Sequence, residues 1–154
     1  MDIVTGLSPS EWALRLGIAL LCGALLGVNR DMHHKPAGLR TFSLVSLAAA
    51  TVTLTFLDLG HGDMSAVSRV AQGVLTGIGF LGAGIILHRD SQHVIGLTTA
   101  AAVWLAAVLG VICGLGLIVQ AAIVTIAGLG VLIAGGPIER WLTKRVADKR
   151  GEDR

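Results

Sequence analysis

The sequence predicts an all-α fold, an integral membrane bundle of about five transmembrane helices. Only 14% of the 154 residues are charged and the mean hydropathy is +0.76, whereas an ordinary soluble domain has about 25% charged residues. Glycine is abundant, at 21 residues, and aromatic residues make up only 4%. Small side chains let membrane helices approach closely, whereas a soluble core needs bulkier side chains to fill it.

Each predicted helix is an apolar stretch close to the length of about 20 residues that crosses the hydrocarbon layer. The stretches are residues 12–28, 41–59, 70–87, 94–113 and 115–134. Arg15 interrupts the first, but its guanidinium can extend toward the interface, with Glu11 one turn away. No charge separates the last two stretches, which meet at residues 110–116. Because together they are about twice one span, we expect a turn there.

The basic residues predict the orientation of the helices, because Lys and Arg concentrate in cytoplasmic loops. The first loop contains Arg30, Lys35 and Arg40, and the third contains Arg89. The N-terminus and residues 60–68 contain neither Lys nor Arg. We therefore expect the N-terminus outside the cell and the C-terminus in the cytoplasm, which requires an odd number of spans.

The sequence divides into a transmembrane domain, residues 1–136, and a short basic cytoplasmic tail, residues 137–154. Trp141 in the tail, with Leu142 and Val146, indicates a short interfacial helix. The tail is short and lacks interleaved aromatic residues, so we expect no nucleic-acid partner. Its basic residues are Arg140, Lys144, Arg145, Lys149, Arg150 and Arg154.

No pattern in the sequence indicates an enzyme, a metal site or a cofactor. The five histidines show no HExxH spacing, and Cys22 and Cys113 form no CxxC pair, so we interpret both cysteines as small packing residues. Residues 77–82 match GxGxxG formally, but they lie inside an apolar run with no preceding strand, so we reject a nucleotide site. We therefore expect a protein that is not an enzyme.

The third segment carries glycines on two sides of one helix. At about 100° per residue, Gly73, Gly77 and Gly84 share a stripe, and Gly79 and Gly82 lie on another side. One interpretation is close packing against two neighbouring helices. The other is a kinked helix, or one whose backbone faces a cavity, because glycine is unfavourable in a helix interior.

Polar residues gather at the two ends of the predicted helices. At the outer end, Asp58 or Asp63 is placed to form an ion pair with Arg69, which shares a helix face with Gln72; the alternative is that all are interfacial and solvated.

At the cytoplasmic end, arginines and threonines at helix ends indicate either an anion site, for instance for phosphate, or positive-inside charge alone. The polar residues at this end, including those arginines and threonines, are Arg30, Asp31, Lys35, Arg40, Thr41, Arg89, Asp90, His93, Thr98 and Thr99.

Three strings together resemble the MgtC/SapB family of bacterial inner-membrane proteins: KPAGLRT (35–41), TGIGFLGAG (76–84) and GLTTAA (96–101). The resemblance spans about residues 23–116. Two positions depart from the family pattern. Asn29 precedes Arg30 where the family usually has an acidic residue, and Gly73 stands where it usually has Gln, with Gln72 one residue earlier.

The resemblance implies a multi-pass protein of the bacterial inner membrane and a role in adaptation to low magnesium and survival inside host phagocytes. The virulence members carry a C-terminal ACT-like domain and are thought to restrain the F-type ATP synthase; this chain looks more like the short SapB-type members without that domain.

We therefore expect a non-enzymatic protein that modulates a membrane complex or ion and energy homeostasis, and that self-associates as a homodimer. The alternative is a small transporter or channel for an ion or phosphate, with Arg40, Arg69, Thr98 and Thr99 along its path. The motif and functional residues are Arg30, Lys35, Gly38, Arg40, Thr41, Arg69, Gln72, Gly77, Gly79, Gly82, Gly84, Gly96, Thr98 and Thr99.

Overall fold

The computed structural model describes residues 6–60, 63–86 and 95–152 as five α-helices in succession. They are α1 (Pro9–Met32), α2 (Leu39–Leu59), α3 (Met64–Ile86), α4 (Leu97–Gly114) and α5 (Ile118–Glu152). Every helix contains a stretch long and apolar enough to cross a membrane, which in α5 is Ile118–Glu139. The predicted all-α membrane bundle of five helices is confirmed.

The first three helices begin at side-chain hydrogen bonds to the backbone of their first turns. Ser8 and Glu11 form a reciprocal capping box at the start of α1, with Pro9 in the first turn. Asp63 accepts the Ser65 backbone N–H at 2.8 Å and so caps α3. Helix α2 is capped from outside, because Asp31 accepts the Leu39 N–H at 2.9 Å.

The turn predicted between the fourth and fifth segments is present at residues 115–117. Gly116 adopts a positive φ of 80° and donates to the Cys113 carbonyl, while the N–H of Leu117 bonds to the Ile112 carbonyl. This is a Schellman termination, and it needs a residue that tolerates the left-handed conformation. The two segments are therefore separate helices.

Helix α5 continues through Pro137 into the residues predicted to form a separate tail. Trp141 and Arg145 lie in this extension, and the guanidinium carbon of Arg145 stacks 4.3 Å from the centre of the Trp141 ring. The helical prediction for the tail is thus right, but its helix is an extension of α5.

The centre of the bundle is α4, half of whose residues are buried. Gly110 and Gly114 of α4 pack against the backbone of α2, where a β-carbon on Gly114 would come within 2.8 Å of the Ala50 carbonyl oxygen. Gly23 and Gly27 of α1 face α2 in the same way. A β-carbon on Gly23 would come within 2.5 Å of the Phe42 carbonyl oxygen, and one on Gly27 within 2.6 Å of the Leu39 Cα. Close backbone approach therefore comes from two GxxxG pairs, in α1 and α4.

Helix α3 differs from the others, because only Val67 and Ile78 of its 23 residues are buried. A β-carbon built on Gly73, Gly77 or Gly84 would meet no other atom within 4 Å. The same holds for Gly79, and one on Gly82 would touch only Ala100, at 3.7 Å. Close packing of these glycines against neighbouring helices, one of the two interpretations of the sequence, is therefore not made within the described residues. The kink of the other interpretation is not present either, since α3 is one uninterrupted helix.

Successive helices run in opposite directions. Gly27 of α1 lies at the start of α2, and Gly82 of α3 lies near Ala100 at the start of α4. Arg30 at the end of α1 also contacts Thr99 of α4. The end of α1 and the starts of α2 and α4 thus form one end of the bundle, called the basic end below.

Candidate functional site at the basic end of the bundle

Arg30, in the last turn of α1, is buried, with 4% of its surface exposed. Its Nη2 donates to the Thr99 hydroxyl at 2.8 Å, and Thr99 is itself 1% exposed. Within the described residues, the Nε of Arg30 and the Oδ1 of its neighbour Asn29 have no hydrogen-bond partner. A buried guanidinium with an unused donor is unfavourable unless another group satisfies it.

The carboxylate nearest to Arg30 in sequence has a different role. Asp31 accepts the Leu39 N–H, and a β-carbon on Gly38 would overlap the Asp31 Oδ1. Asp31 is therefore held against the start of α2, where a negative charge stabilises the helix dipole. In the part of the chain that the structure describes, no carboxylate forms an ion pair with Arg30.

The start of α4 lies beside Arg30. Gly96 caps this helix with φ 107°, and a β-carbon there would come within 2.9 Å of the Ile85 carbonyl oxygen. The position thus requires glycine for both conformation and space. Because glycine has no side chain to accept from the first N–H groups of α4, their partial positive charge is not neutralised by a cap.

A cavity of about 750 Å³ opens among these groups. Its polar wall includes Arg30, His33, Lys35 and Thr98, and its apolar wall comes from residues 131–137 of α5. The Glu139 carboxylate also lines it and is engaged in an interaction of its own. Cationic groups and a helix N-terminus suit an anion.

The described residues contain no group of three or more His, Cys, Asp or Glu side chains that could hold a metal ion. Arg89, Asp90 and His93, which the sequence placed at this end, lie outside the described residues.

The sequence comparisons decide the family. The profile of the MgtC family matches residues 16–141. The chain belongs to the MgtC family. No solved structure matches it.

Named relatives of this MgtC-family chain come from distant bacteria. It is 41% identical over 125 residues to protein SrpB of Synechococcus elongatus, covering 72% of this chain and 69% of SrpB. It is 49% identical over 108 residues to protein MgtC of Brucella abortus, covering 70% of this chain and 44% of the relative. It is 43% identical over 105 residues to protein MgtC of Salmonella typhimurium, covering 68% of this chain and 44% of the relative. The chain thus matches less than half the length of these MgtC proteins.

The structure of this MgtC-family chain brings together only some of the residues singled out from the sequence. Arg30, Lys35, Gly96, Thr98 and Thr99 meet at the basic end. Arg40 and Thr41 begin α2 at the same end, without lining the cavity.

Arg69 and Gln72 are exposed in the first turns of α3, at the opposite end of the bundle. Their polar contacts stay within α3, since Arg69 donates to the Ser65 hydroxyl and Gln72 to the Ser68 hydroxyl. The four residues of the predicted transport path, Arg40, Arg69, Thr98 and Thr99, therefore do not form one site.

Asp58 has partners that the sequence did not predict. It is 7% exposed and accepts the backbone N–H of Leu7 at 3.1 Å and the Trp12 Nε1–H at 3.3 Å. Both donors belong to the start of α1, so the predicted pairing of Asp58 with Arg69, and its predicted solvation, are wrong. Asp58 instead fastens the end of α2 to the start of α1.

Asp63 is the acidic residue whose pKa the charge of Arg69 lowers. The Ser65 backbone N–H, then the Ser65 hydroxyl and the charge of Arg69 hold the pKa of the Asp63 carboxyl below its ordinary value of 3.8. Hydrogen bonds from Ser65 thus contribute more to this shift than the charge of Arg69, and among the described residues no ion pair joins Asp63 to Arg69.

Arg15 shows a role that sequence reasoning missed. Its Nη1 donates to the Gly114 carbonyl at 3.1 Å, and its Nη2 lies 4.0 Å from Glu11. The guanidinium therefore stabilises the C-terminal end of α4. The GxxxG spacings in α1 and α4 could have predicted the close packing of these helices. The contact of Arg15 with Gly114 could not be predicted, because 99 residues separate the two.

Proposed function

We propose that this chain is a non-enzymatic membrane protein that modulates another membrane complex, and through it ion or energy homeostasis, by associating laterally through α3. The observation that carries the proposal is the outer face of α3, defined here by Gly73, Gly77, Phe80 and Gly84. These residues recur at intervals of four, three and four, so they share one side of the helix.

The outer face consists of three glycines and one aromatic residue, and the bundle covers none of them. Gly73, Gly77 and Gly84 meet no other atom within 4 Å, and Phe80 is 84% exposed. In lipid, helices associate by close van der Waals packing of small residues, since apolar burial alone gives no advantage over lipid tails. A glycine stripe that the bundle does not use itself is therefore suited to a helix of another protein.

The family resemblance supports the biological context of this proposal. It favours the bacterial inner membrane as location, low magnesium as the condition, and a complex such as the F-type ATP synthase as the associated protein. A second copy of the chain is the competing partner for the same face, and a homodimer would occupy it.

The test replaces Gly77 or Gly84 by Leu and measures association in native membranes. We expect affinity capture at low magnesium to recover a partner complex with the wild-type chain and at least about fivefold less with either variant, because a Leu side chain would hold the two helix backbones apart, and a fivefold loss corresponds to only about 1 kcal/mol. Gly17→Leu is the matched control, since Gly17 is an exposed glycine of α1 with nothing within 4 Å. Equal capture by all three variants would contradict the proposal, and crosslinking that yields monomer alone would exclude the homodimer.

A small transporter or channel is the second candidate, favoured by the cavity at the basic end. In liposomes, such a protein must move phosphate or an inorganic ion above the background of empty vesicles. A flux record equal to that background would remove this candidate and leave the association through α3 unaffected.

A further inference from the structure

We infer that the cavity at the basic end is a binding site for a phosphate group, supplied either by inorganic phosphate or by the headgroup of an anionic lipid. The inference goes beyond lateral association, because it concerns α1, α4 and α5 rather than α3. It rests on three independent features of the same wall.

The first feature is the unsatisfied guanidinium. Arg30 is 96% buried, its Nη2 is committed to Thr99, and its Nε is without a partner among the described residues. Burying a charge is costly unless it is paired. Asp31 is held at the start of α2, and no carboxylate among the described residues forms an ion pair with Arg30, although Glu139 also lines the cavity. The guanidinium is therefore available to an anionic group that enters the cavity.

The second feature is the start of α4. Gly96 and Thr98 line the cavity that Arg30 lines, and the glycine cap leaves the first N–H groups of the helix without a side-chain acceptor. Helix N-termini bind anions through these groups and the helix dipole. The buried arginine and the helix start thus present positive potential to one space.

The third feature is the entrance and the size of the cavity. Lys35 and His33 are exposed residues of the wall, so the ammonium group of Lys35 lies on the side from which a ligand would enter. The volume of about 750 Å³ falls within the range of roughly 300–1,000 Å³ found for small-molecule sites. Residues 131–137 of α5 add an apolar side suited to the glycerol and upper acyl region of a lipid.

The experiment titrates three probes into the purified full chain in dodecyl maltoside and measures dissociation constants by calorimetry. The probes are inorganic phosphate, a short-chain phosphatidic acid, and a diacylglycerol of equal chain length that lacks the phosphate. Binding of inorganic phosphate identifies a free anion as the ligand. If phosphatidic acid binds but neither inorganic phosphate nor diacylglycerol does, the ligand is a lipid headgroup.

Two variants and one control locate the binding. Arg30→Gln should weaken binding of the phosphate group at least about tenfold, since a charge-assisted hydrogen bond is lost, and Lys35→Gln should weaken it about threefold. Arg40→Gln removes an exposed cation at the same end that does not line the cavity, and it should leave the constants unchanged.

The inference is overturned if no phosphate-bearing probe binds, if diacylglycerol binds equally well, or if Lys35→Gln and Arg40→Gln behave alike. Because Arg30 is buried, Arg30→Gln can fail to fold. Thermal unfolding of each variant detects this, and the comparison of Lys35 with Arg40, two exposed residues, then decides the outcome alone.

Discussion

Buried and partly buried polar side chains fix the ends of this bundle one residue at a time. Asp58 joins α2 to the start of α1, and Arg15 joins α1 to the carbonyl end of α4. In each case a charge satisfies backbone or indole groups that would otherwise be buried without partners. These contacts specify which helix ends meet, which non-directional apolar packing does not.

Replacing Asp58 by Asn should destabilise the bundle by about 1–3 kcal/mol, because the amide retains one acceptor oxygen and turns its N–H₂ toward the other of the two donors, which then has no acceptor. Thermal unfolding in detergent measures the change. Asp63→Asn is the matched control, because Asp63 is exposed and Asn is also a good helix cap. An equal loss in both variants would show that the contacts of Asp58 are not what matters.

The carboxyl of Asp63 gives a prediction with a definite pH dependence. Its pKa lies below 3.8, mainly through the Ser65 N–H. A depressed pKa stabilises the folded state above the unfolded pKa, and this stabilisation is lost as the pH falls through the folded pKa. Nuclear magnetic resonance titration should show that Arg69→Gln raises the pKa only part of the way to 3.8. Complete recovery in that variant would make the charge of Arg69 the dominant cause of the lowered pKa.

At the scale of the helix, glycine has two different uses in this chain. In α1 and α4 the pairs Gly23/Gly27 and Gly110/Gly114 admit the backbone of α2. In α3 the glycines face open space. The sequence predicted smooth faces in α3 correctly from the helical period, but period alone does not say which neighbour a face meets, or whether that neighbour belongs to the chain.

Gly110→Ala separates these two uses. A β-carbon at Gly110 would overlap the Ser46 carbonyl oxygen, so we expect a loss of about 1–3 kcal/mol from overpacking. Gly130→Ala in α5 is the control, since Gly130 has nothing within 4 Å, and it should be neutral or stabilising by up to about 1 kcal/mol. Unfolding by sodium dodecyl sulfate compares the two variants, and equal stabilities would refute the role of Gly110 in packing α4 on α2.

At the scale of the whole molecule, hydrophobic length predicted both the five helices and the turn before α5, because the last two segments together are about twice one span. The structure makes this turn at residues 115–117 with Gly116 in a left-handed conformation. The contact of Arg30 with Thr99 did not follow, because 69 residues separate them and only the packing of α1 on α4 brings them together. Both residues were nevertheless selected from their type and their position at helix ends.

The alternating helices place Lys35 and Ser65 at opposite ends of the bundle, which makes the orientation testable. Basic loops stay in the cytoplasm, so the Lys35 end should face inward and the Ser65 end outward. In a chain with Cys22 and Cys113 replaced by Ala, we expect Ser65→Cys to react with a membrane-impermeant maleimide in intact spheroplasts. Lys35→Cys should react only after permeabilisation, and the reverse pattern would invert the topology and place the cavity at the basic end outside the cell.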